Sequence, residues 1–349
     1  MTEMKEVQGF DDFLLVPQYS DIVSRSEINT QVELGDLTLD TPIIASPMST
    51  VTEAYMINAL TNLKTLGIVH RYNTINFQRK LVSFIQDDRF KSAAVGVSGD
   101  YKERLEALYE AGLKIVCIDI AHGDHVLMKN AIKYVKDTYP NLIVIAGNVA
   151  TAKAYKRLSS WGADAVRLSV GSGSICTTRI QTGHGIPTMQ AIIDAYEMKT
   201  ELIENGHPAA QIIADGGIKN SGDIVKCLAA GADLVMLGSM LSGTKESPGK
   251  VIIMPDGSKS KRYNGMASKA AQKNWKGSYS SVEGVSSIVP YKGTVAKVIR
   301  EIMSNVRSGM SYSGARNLKE LKNKAQFVLQ SAASTIESGP HIYKNGGRS

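Results

Sequence analysis

Eight short apolar segments recur along this chain with helical segments between them, and this repeat constrains the fold more than any other feature. Most repeats are about 25 residues long, which suits a strand, a crossover helix and two loops. Continuous apolar runs such as KIVCIDI indicate parallel strands that are covered on both faces. The predicted strands are Ile43–Ser46, Gly67–His70, Ala93–Val97, Ile115–Asp119, Ile143–Gly147, Ala165–Leu168, Ile212–Asp215 and Leu234–Leu237.

The segments between the strands, for example Tyr101–Ala111 and Ala152–Trp161, carry apolar residues at three- and four-residue spacing, so we expect helices there. Eight strand–helix units predict an α/β fold, a (β/α)8 TIM barrel, as a single domain over residues 1–349. The alternative, an open Rossmann sheet, requires a Gly-x-Gly-x-x-Gly turn after the first strand, and IIASPMST does not supply one.

Two long insertions interrupt the regular repeat. One lies between strands six and seven and is rich in Gly, Ser and Thr, and the other, residues 242–289, follows strand eight and is rich in Gly, Ser and Lys. Both follow the carboxyl ends of strands, where barrel enzymes carry out their chemistry. We expect residues 242–289 to form a mobile flap that closes over a site.

The chain is basic, with a formal net charge of +7, but its Lys and Arg residues are scattered. Binding of a nucleic acid polymer needs clustered charge, so we expect an anionic small ligand instead. Three cysteines are too few for a disulfide framework or a zinc ribbon. No signal peptide or membrane-spanning run is visible, and we therefore expect a soluble, cytoplasmic protein without a membrane partner.

Polar residues stand at or just after the ends of six predicted strands. A single one is as often a satisfied cap, but six that converge on one barrel mouth indicate a common ligand. Glycine-rich turns at 214–218 and 237–240 expose backbone N–H groups, which suits a phosphate, although plain tight turns are the alternative. Asp215 is placed to accept hydrogen bonds from ribose hydroxyls. The six residues are Ser46, His70, Asp119, Asn148, Asp215 and Ser239.

Cys176 is the candidate nucleophile. It lies in the glycine-rich loop and precedes Thr177, Thr178 and Arg179. A thiol beside backbone N–H groups and a cation has a lowered pKa and is nucleophilic. Cys117 in an apolar strand and Cys227 on a helix are typical of small core residues instead.

The loop GSICTTR at 173–179 resembles the IMP dehydrogenase/GMP reductase family, and other motifs continue the resemblance over almost the whole chain. They are FDDFLLVP at 10–17, SPMSTVTE at 46–53, AGNVAT at 146–151, ADGGI at 214–218, GSMLSGTKESPG at 238–249, YNGMAS at 263–268, VPYKG at 289–293 and SGMSYSGA at 308–315. All of them appear in the family's order.

The resemblance implies a role for each matching residue. Cys176 would attack C2 of a purine nucleotide, with Thr178 and Glu283 as the other catalytic residues. Backbone carbonyls of Gly171, Gly173 and Cys176 match the family's potassium site, and the family is generally a homotetramer. The implied substrate-binding residues are Ser46, Ser174, Asp215, Gly216, Gly217, Gly238, Ser239, Tyr263, Gly265, Met266 and Ala267. The implied cofactor-binding residues are Asp119, Ile120, Ala121, Asn148, Arg167 and Gly171.

Both reactions of this family pass through a thioimidate of XMP on the cysteine. The dehydrogenase forms it by hydride loss from IMP to NAD⁺ and then hydrolyses it. The reductase forms it by expelling ammonia from GMP and then takes a hydride from NADPH to give IMP. Hydrolysis needs an activated water, and dehydrogenases resemble one another in an Arg-Tyr pair on the flap.

In this chain Ser278 precedes Tyr279 where that pair would fall, and Arg262-Tyr263 belongs to the phosphate-side motif instead. Reductases rely on a Thr–Glu pair that Thr178 and Glu283 match, although dehydrogenases can carry both residues. Without the arginine, hydrolysis should be slow, because loss of a general base costs about 10²–10⁴-fold.

Other features divide between the two reactions. The regulatory modules that most dehydrogenases insert after the second strand and its helix are absent, and SRSE at 24–27 resembles reductases. Residues 308–328 and 333–341 look more like bacterial dehydrogenases. We therefore predict a GMP reductase that uses NADPH. An IMP dehydrogenase that uses NAD is the alternative, and a catalytically silent purine-nucleotide-binding protein is the second one.

Two positions depart from the family's pattern. Ser49 stands where members usually have Asp, or Gln in some reductases, and Ser172 stands where they have Pro. We expect the first change to alter contacts beside the cofactor or ribose. We expect the second to loosen the loop that carries Cys176.

Overall fold

The computed structural model describes residues 4–279 and 282–339. The predicted domain over 1–349 and the predicted flap therefore include residues 1–3, 280–281 and 340–349, which lie outside the described residues. Within the described chain, no helix is long and apolar enough to cross a membrane.

All eight predicted strands are present, and they form one parallel sheet in which each strand pairs with the next along the chain, except that only an isolated bridge joins the second and third strands. β1 pairs with β8, and a bridge from Val69 to Ala93 joins the β2 end to β3, so the sheet closes into the predicted TIM barrel. The strands are β1 Ile43–Ala45, β2 Leu66–Gly67, β3 Ser92–Val95, β4 Ile115–Asp119, β5 Ile143–Val149, β6 Ala165–Leu168, β7 Gln211–Asp215 and β8 Leu234–Leu237.

Helices follow the strands and cover the outside of the barrel. The predicted helix at Ala152–Trp161 has the same bounds in the structure, and Thr151 caps it by accepting from the N–H of Ala154. Short 3₁₀ helices are Phe10–Asp12, Arg25–Glu27 and Asp88–Phe90. The α-helices are α1 Ala54–Thr61, α2 Ile75–Ser83, α3 Tyr101–Glu110, α4 Val126–Thr138, α5 Ala152–Trp161, α6 Thr178–Thr182, α7 Thr188–Glu204, α8 Ser221–Ala229, α9 Lys269–Lys276, α10 Val295–Tyr312, α11 Leu318–Lys324 and α12 Ala332–Glu337.

The core lies in the barrel and between the barrel and its helices. Every residue of β1, β3, β6 and β8 is buried, as expected for parallel strands that are covered on both faces. α2 ends at Ser83 and β3 begins at Ser92, with only a 3₁₀ turn between them. No regulatory module is inserted at that point of the barrel.

Two pairs of short antiparallel strands lie outside the barrel. Phe13–Leu15 pairs with Phe327–Leu329, and Val32–Leu34 pairs with Leu37–Leu39 as a hairpin. The hairpin turn packs against Ile143 at the start of β5. A Cβ at Gly35 would approach the Ile143 side chain to 2.7 Å, and Gly35 has a φ of +60°, so the turn requires glycine.

The segment after β8 is folded rather than irregular. It contains a three-stranded antiparallel sheet of Ile252–Ile253, Lys259–Asn264 and Ser286–Pro290, with α9 between its last two strands. The Lys261 ammonium is buried and donates to the carbonyl oxygens of Thr244 and Ser247. These contacts join the middle strand of the sheet to the start of the same segment. That the segment closes over a site stays a prediction.

Candidate active site

A cavity of about 310 Å³ opens at the carboxyl ends of the barrel strands. Every residue to which the family resemblance assigns a catalytic, substrate, cofactor or cation role lines this cavity. The structure therefore brings the whole predicted set together, while the individual roles stay predictions.

A relay of three side chains starts at the candidate nucleophile. The Cys176 thiol donates to Thr178 Oγ1 at 3.1 Å, and the Thr178 hydroxyl donates to Glu283 Oε2 at 2.8 Å. Thr178 begins α6, whereas Glu283 comes from the return of the flap, far along the chain. This arrangement can pass a proton between a group bound at the sulfur and the carboxylate.

Backbone hydrogen bonds hold the nucleophile loop and the flap return together. The N–H of Thr177 donates to the Glu283 carbonyl at 2.9 Å, and the N–H of Val285 donates to the Ile175 carbonyl at 3.0 Å. Gly284 lies in the gap, where a Cβ would come within 3.2 Å of Ser268 N and 3.3 Å of Ile175 O. A side chain at Gly284 would therefore push the Glu283 carboxylate away from Thr178.

Ser172 takes part in a second connection within the nucleophile loop. The Arg179 guanidinium donates to Ser172 Oγ at 2.8 Å, and the Ser172 hydroxyl donates to the Ile186 carbonyl at 3.2 Å. We expected serine in place of proline to loosen this loop. The structure shows that the serine instead makes side-chain hydrogen bonds that proline cannot make.

A buried ion network crosses the barrel mouth. Arg167 donates to Asp119 Oδ1 at 2.6 Å and to Asp215 Oδ2 at 2.8 Å, and Asn148 also donates to Asp215 Oδ2 at 2.8 Å. Burial raises the pKa of Asp119, but Arg167 and Arg71 together outweigh it and hold that pKa below its usual value. The side chain of Arg167 is only 6% exposed, so it acts by orienting and neutralising the two carboxylates.

The turns after β7 and β8 form the part of the cavity predicted for a phosphate. Gly216 and Gly217 have φ values of +93° and +79°, a conformation that favours glycine. Gly238 is crowded, since a Cβ there would lie 3.0 Å from both Met48 Sδ and Tyr263 Oη. Burial raises the pKa of Tyr263, which keeps its hydroxyl neutral and able to donate to an anion.

Sequence reasoning missed an aromatic and cationic cluster beside Asp119, which is predicted to bind the cofactor. Arg71 and Tyr72 line the cavity, and Tyr72 stacks on Trp275 of α9 with ring centroids 4.2 Å apart. The Arg71 guanidinium carbon lies 5.2 Å from the Tyr72 ring centre. A basic and aromatic pair directly after a predicted strand end was the available signal.

His70, which we predicted to face the barrel mouth, does not line the cavity. It is buried, and its Nε2 lies 3.1 Å from Glu53 Oε1 beside α1. The chain bends after β2, so the side chains that reach the cavity are those of the next two residues.

The other two cysteines are buried, as expected for core residues. Burial raises the pKa of Cys117 to about 12 and that of Cys227 well above its usual value. Both therefore stay protonated and unreactive, whereas Cys176 is half-buried and lines the cavity.

The predicted cation ligands Gly171, Gly173 and Cys176 lie on one loop, and backbone carbonyls are a donor type that hard cations take. The Gly173 carbonyl already accepts from the N–H of Cys176 at 3.0 Å. The loop thus fits as one part of an oxygen shell. In the described ranges, no group of three or more His, Cys, Asp or Glu residues could hold a metal ion.

Comparison with known proteins agrees with this geometry. The family model for the IMP dehydrogenase / GMP reductase domain matches residues 8–341. The inosine-5'-monophosphate dehydrogenase of Borreliella burgdorferi is 35% identical and covers 97% of this chain and 97% of that protein. The enzyme of the same name from Bacillus subtilis is 39% identical over 95% of this chain and 68% of that protein.

Structural comparison also finds a member of this family. A cysteine-to-alanine variant of GMP reductase from Trypanosoma brucei, in complex with guanosine 5'-monophosphate, has a TM-score of 0.89 and 28% identity. It covers 97% of this chain and 98% of that chain. The chain therefore belongs to the IMP dehydrogenase/GMP reductase family, whose members are oxidoreductases of purine nucleotides.

Proposed function

We propose that this protein is a GMP reductase, which converts GMP to IMP and ammonia with NADPH. The relay from Cys176 through Thr178 to Glu283, with distances of 3.1 and 2.8 Å, supplies the proton-transfer groups that this reaction needs. The observation that favours the reductase over the dehydrogenase is the missing flap arginine. Serine at 278 removes the flap arginine on which hydrolysis in the dehydrogenases relies. The relay can deliver a proton to a leaving amine, and it does not need to activate a water.

In the proposed first step, the Cys176 thiol passes its proton through Thr178 to Glu283, and its sulfur attacks C2 of the purine, so that a C–S bond forms as the C2=N3 double bond opens. The C2–N bond of the exocyclic amine then breaks, and ammonia leaves with a proton that Thr178 passes on from Glu283. NADPH, when bound, supplies the hydride that replaces the sulfur at C2. The Cys176 thiolate departs as the C–S bond breaks, and IMP is released.

The charge network holds the ribose end of the substrate in this proposal. The recorded hydrogen bonds from Arg167 and Asn148 all reach Oδ2 of Asp215. Among the described contacts, Oδ1 is thus the oxygen left to accept ribose hydroxyls. Because the acceptor is held by two rigid partners, the sugar is fixed relative to the Cys176 sulfur.

The residues present fit a nicotinamide dinucleotide. A second cavity of about 340 Å³ adjoins the first, and both are lined by Arg71 and Ile120. Glycines at 96 and 99 and the Trp275 ring line its other walls. Arg71 would lie beside the cofactor phosphates, and the Asp119 carboxylate beside the nicotinamide. The backbone carbonyls of Gly171, Gly173 and Cys176 would hold the predicted potassium ion. The homotetramer stays a prediction.

IMP dehydrogenase is the second candidate, because the curated relatives at 32–39% identity carry that name. For that reaction Tyr279 is the flap residue in the right place. Its ring is half exposed and lies beside Lys269 and Lys273, with ammonium-to-centroid distances of 4.7 and 5.5 Å. Neither lysine takes over the position of the missing arginine at 278.

A four-way assay separates the two candidates. The purified protein is given GMP or IMP with each of NADPH and NAD⁺, and nicotinamide absorbance and XMP are followed. We expect GMP with NADPH to give IMP and ammonia, and IMP with NAD⁺ to give XMP at a rate about 10²-fold lower. If IMP with NAD⁺ gives XMP steadily, and faster than GMP with NADPH gives IMP, the dehydrogenase replaces the reductase as the proposed function.

A further inference from the structure

A separate cavity of about 360 Å³ lies against the turns predicted for the substrate phosphate. Ser174, Gly217, Ile218 and Ser239 line both this cavity and the catalytic cavity, so these four residues form the boundary between the two spaces. Its other walls include Lys219 and Lys292, to which the catalytic proposal assigns no role. We call this space the rear cavity.

Lys292 is half-buried and lines the rear cavity. Its ammonium donates to the carbonyl oxygens of Ser239 and Met240 at 2.7 and 3.1 Å. An ammonium has three donors, so these two bonds leave one for another acceptor. Among the described residues, no carboxylate lies within 4.0 Å of it, and burial alone lowers its pKa. A partly desolvated cation without an acidic partner is stabilised when an anion enters.

Lys219 supplies a second cation to the lining of the rear cavity. Its ammonium pairs with Asp11 at 2.7 Å, but both side chains are well exposed, at 64% and 59%. An exposed pair of this kind contributes little stability, and the long lysine side chain can exchange partners. Lys219 can therefore turn towards an anion in the rear cavity at low cost.

The lining indicates which chemistry the rear cavity takes. Besides the two ammonium groups its lining includes Ser174 and Ser239, whose hydroxyls can donate, and Ser172, whose hydroxyl already donates to the Ile186 carbonyl. Among the described residues, no aromatic ring on which a base could stack lines it. Hydroxyls and ammonium groups are phosphate ligands. Because the rear cavity shares Ser174, Gly217 and Ser239 with the predicted monophosphate subsite, a phosphate in it would be a neighbour of the substrate phosphate.

We propose that the rear cavity binds the terminal phosphate of a nucleoside 5'-diphosphate, so that GDP binds the substrate site with one phosphate more than GMP. This rests on the proposed function in one respect, namely that the adjoining site holds a purine nucleotide. GDP is then a ligand that competes with GMP and senses the phosphorylation state of the guanine nucleotide pool.

Calorimetric titration in phosphate-free buffer tests this without any turnover. The wild type, Lys219→Met, Lys292→Met and the exposed control Lys156→Met are each titrated with GMP, GDP and GMP plus orthophosphate. We expect GDP to bind the wild type at least as tightly as GMP and to be displaced by it. Each rear-cavity variant should weaken GDP relative to GMP by about tenfold, as for the loss of one charge-assisted hydrogen bond, and the control should change neither.

Each failure has its own meaning. If GMP binds but GDP does not, or if the lysine variants leave the GDP-to-GMP ratio unchanged, the rear cavity is not a diphosphate subsite and the proposal is overturned. If orthophosphate adds to GMP binding through the same lysines while GDP fails to bind, the cavity takes free phosphate and the proposal is likewise overturned. If GMP itself fails to bind, the proposed function falls first. Lys219→Met changes an exposed side chain, so the test does not depend on Lys292→Met being folded.

Discussion

The two ends of the barrel both hold carboxylates beside cations, but the partners differ. At the amino-terminal end, Asp233 stands just before β8 and accepts the N–H of Ile212 in β7 at 2.7 Å, together with Lys199 and Lys322, each at 2.6 Å. At the carboxyl end, Asp119 and Asp215 share Arg167 and line the open cavity. The first carboxylate joins strands to helices, whereas the other two leave acceptor atoms towards a ligand.

The comparison indicates which of these charged groups stabilise the fold and which take part in the chemistry of the site. Asp164, just before β6, repeats the amino-terminal arrangement by accepting the N–H of Val144 in β5 and the Lys136 ammonium, each at 2.6 Å. Barrels of this kind place catalysis at the carboxyl end and stability at the other. Substitutions at the two ends should therefore separate turnover from the free energy of unfolding.

The largest effect is expected at Cys176. Cys176→Ala removes the atom that forms the covalent bond, so turnover of GMP should fall by at least about 10³-fold. Binding of GMP should remain, because the phosphate and ribose contacts lie elsewhere. Steady-state rates and calorimetric binding measure both, and Cys227→Ala is the matched buried-cysteine control that should keep its turnover. A Cys176→Ala protein with substantial activity would contradict the nucleophile assignment.

Glu283→Gln comes next. It keeps the shape of the side chain but removes the proton carrier at the end of the relay, so kcat should fall by about 10²–10⁴-fold with little change in the Kd of GMP. Ammonia release in a single turnover is the measurement. Glu204→Gln, on the exposed end of α7, serves as control. An equal loss of GMP binding would mean that Glu283 holds the substrate rather than moving a proton.

Asp233→Asn tests the amino-terminal end. It leaves two half-buried lysines, Lys199 and Lys322, without their carboxylate, so the free energy of unfolding should fall by about 3 kcal/mol, while kcat of the folded protein is unchanged. Urea denaturation measures the first and steady-state assays the second. Asp137→Asn on the exposed face of α4 is the control. A loss of kcat in the folded Asp233→Asn protein would contradict the assignment of stability to the amino-terminal end and of catalysis to the carboxyl end.

The same substitution predicts a pH dependence. Burial raises the pKa of Asp233, but Lys322 and Lys199 outweigh it and hold the pKa below its usual value. A lowered carboxyl pKa gives stability that is present above the unfolded-state pKa of about 4 and is lost as pH falls through the folded-state pKa. The stability difference between wild type and Asp233→Asn should therefore shrink below about pH 4. A difference that stays constant to lower pH would contradict this.

The smallest effect concerns the flap over the carboxyl end. If residues 242–289 open and close over the cavity, protease should cut there before it cuts the amino-terminal hairpin at 32–39. GMP at ten times its Kd should slow that cleavage about tenfold, because it reduces the open population by that factor. Cleavage that GMP does not affect would show that the segment is not a lid.

The order and number of strands could be predicted from the sequence because each strand is a local apolar run whose period does not depend on partners. The ends were less predictable. β2 was predicted at Gly67–His70 and runs over Leu66–Gly67, since Ile68 and Val69 are buried but follow the bend towards β3. A run of buried apolar residues has the same sequence pattern whether or not all of its residues form the backbone hydrogen bonds of a strand, so the pattern does not show where the strand ends.

Some polar groups of the site could likewise be predicted from the sequence, and others could not. The glycine turns and Cys176 could be identified because their chemistry lies within a few consecutive residues. Trp275 on Tyr72, Arg167 between two carboxylates, and Ser172 bonded to Arg179 were not predictable, because each pairing depends on where separate segments meet.

The sequence by itself determined the barrel and the position of the nucleophile, because periodicity and glycine turns are properties of short stretches, and its resemblance to the family identified the residues that line the barrel mouth. Only the tertiary structure decided which charges face one another. It showed that His70 turns away to Glu53, that Arg71 reaches the cavity in its place, and that Lys292 stands behind the phosphate turns. These outcomes depend on burial and on distances between residues far apart in the chain, which no local pattern contains.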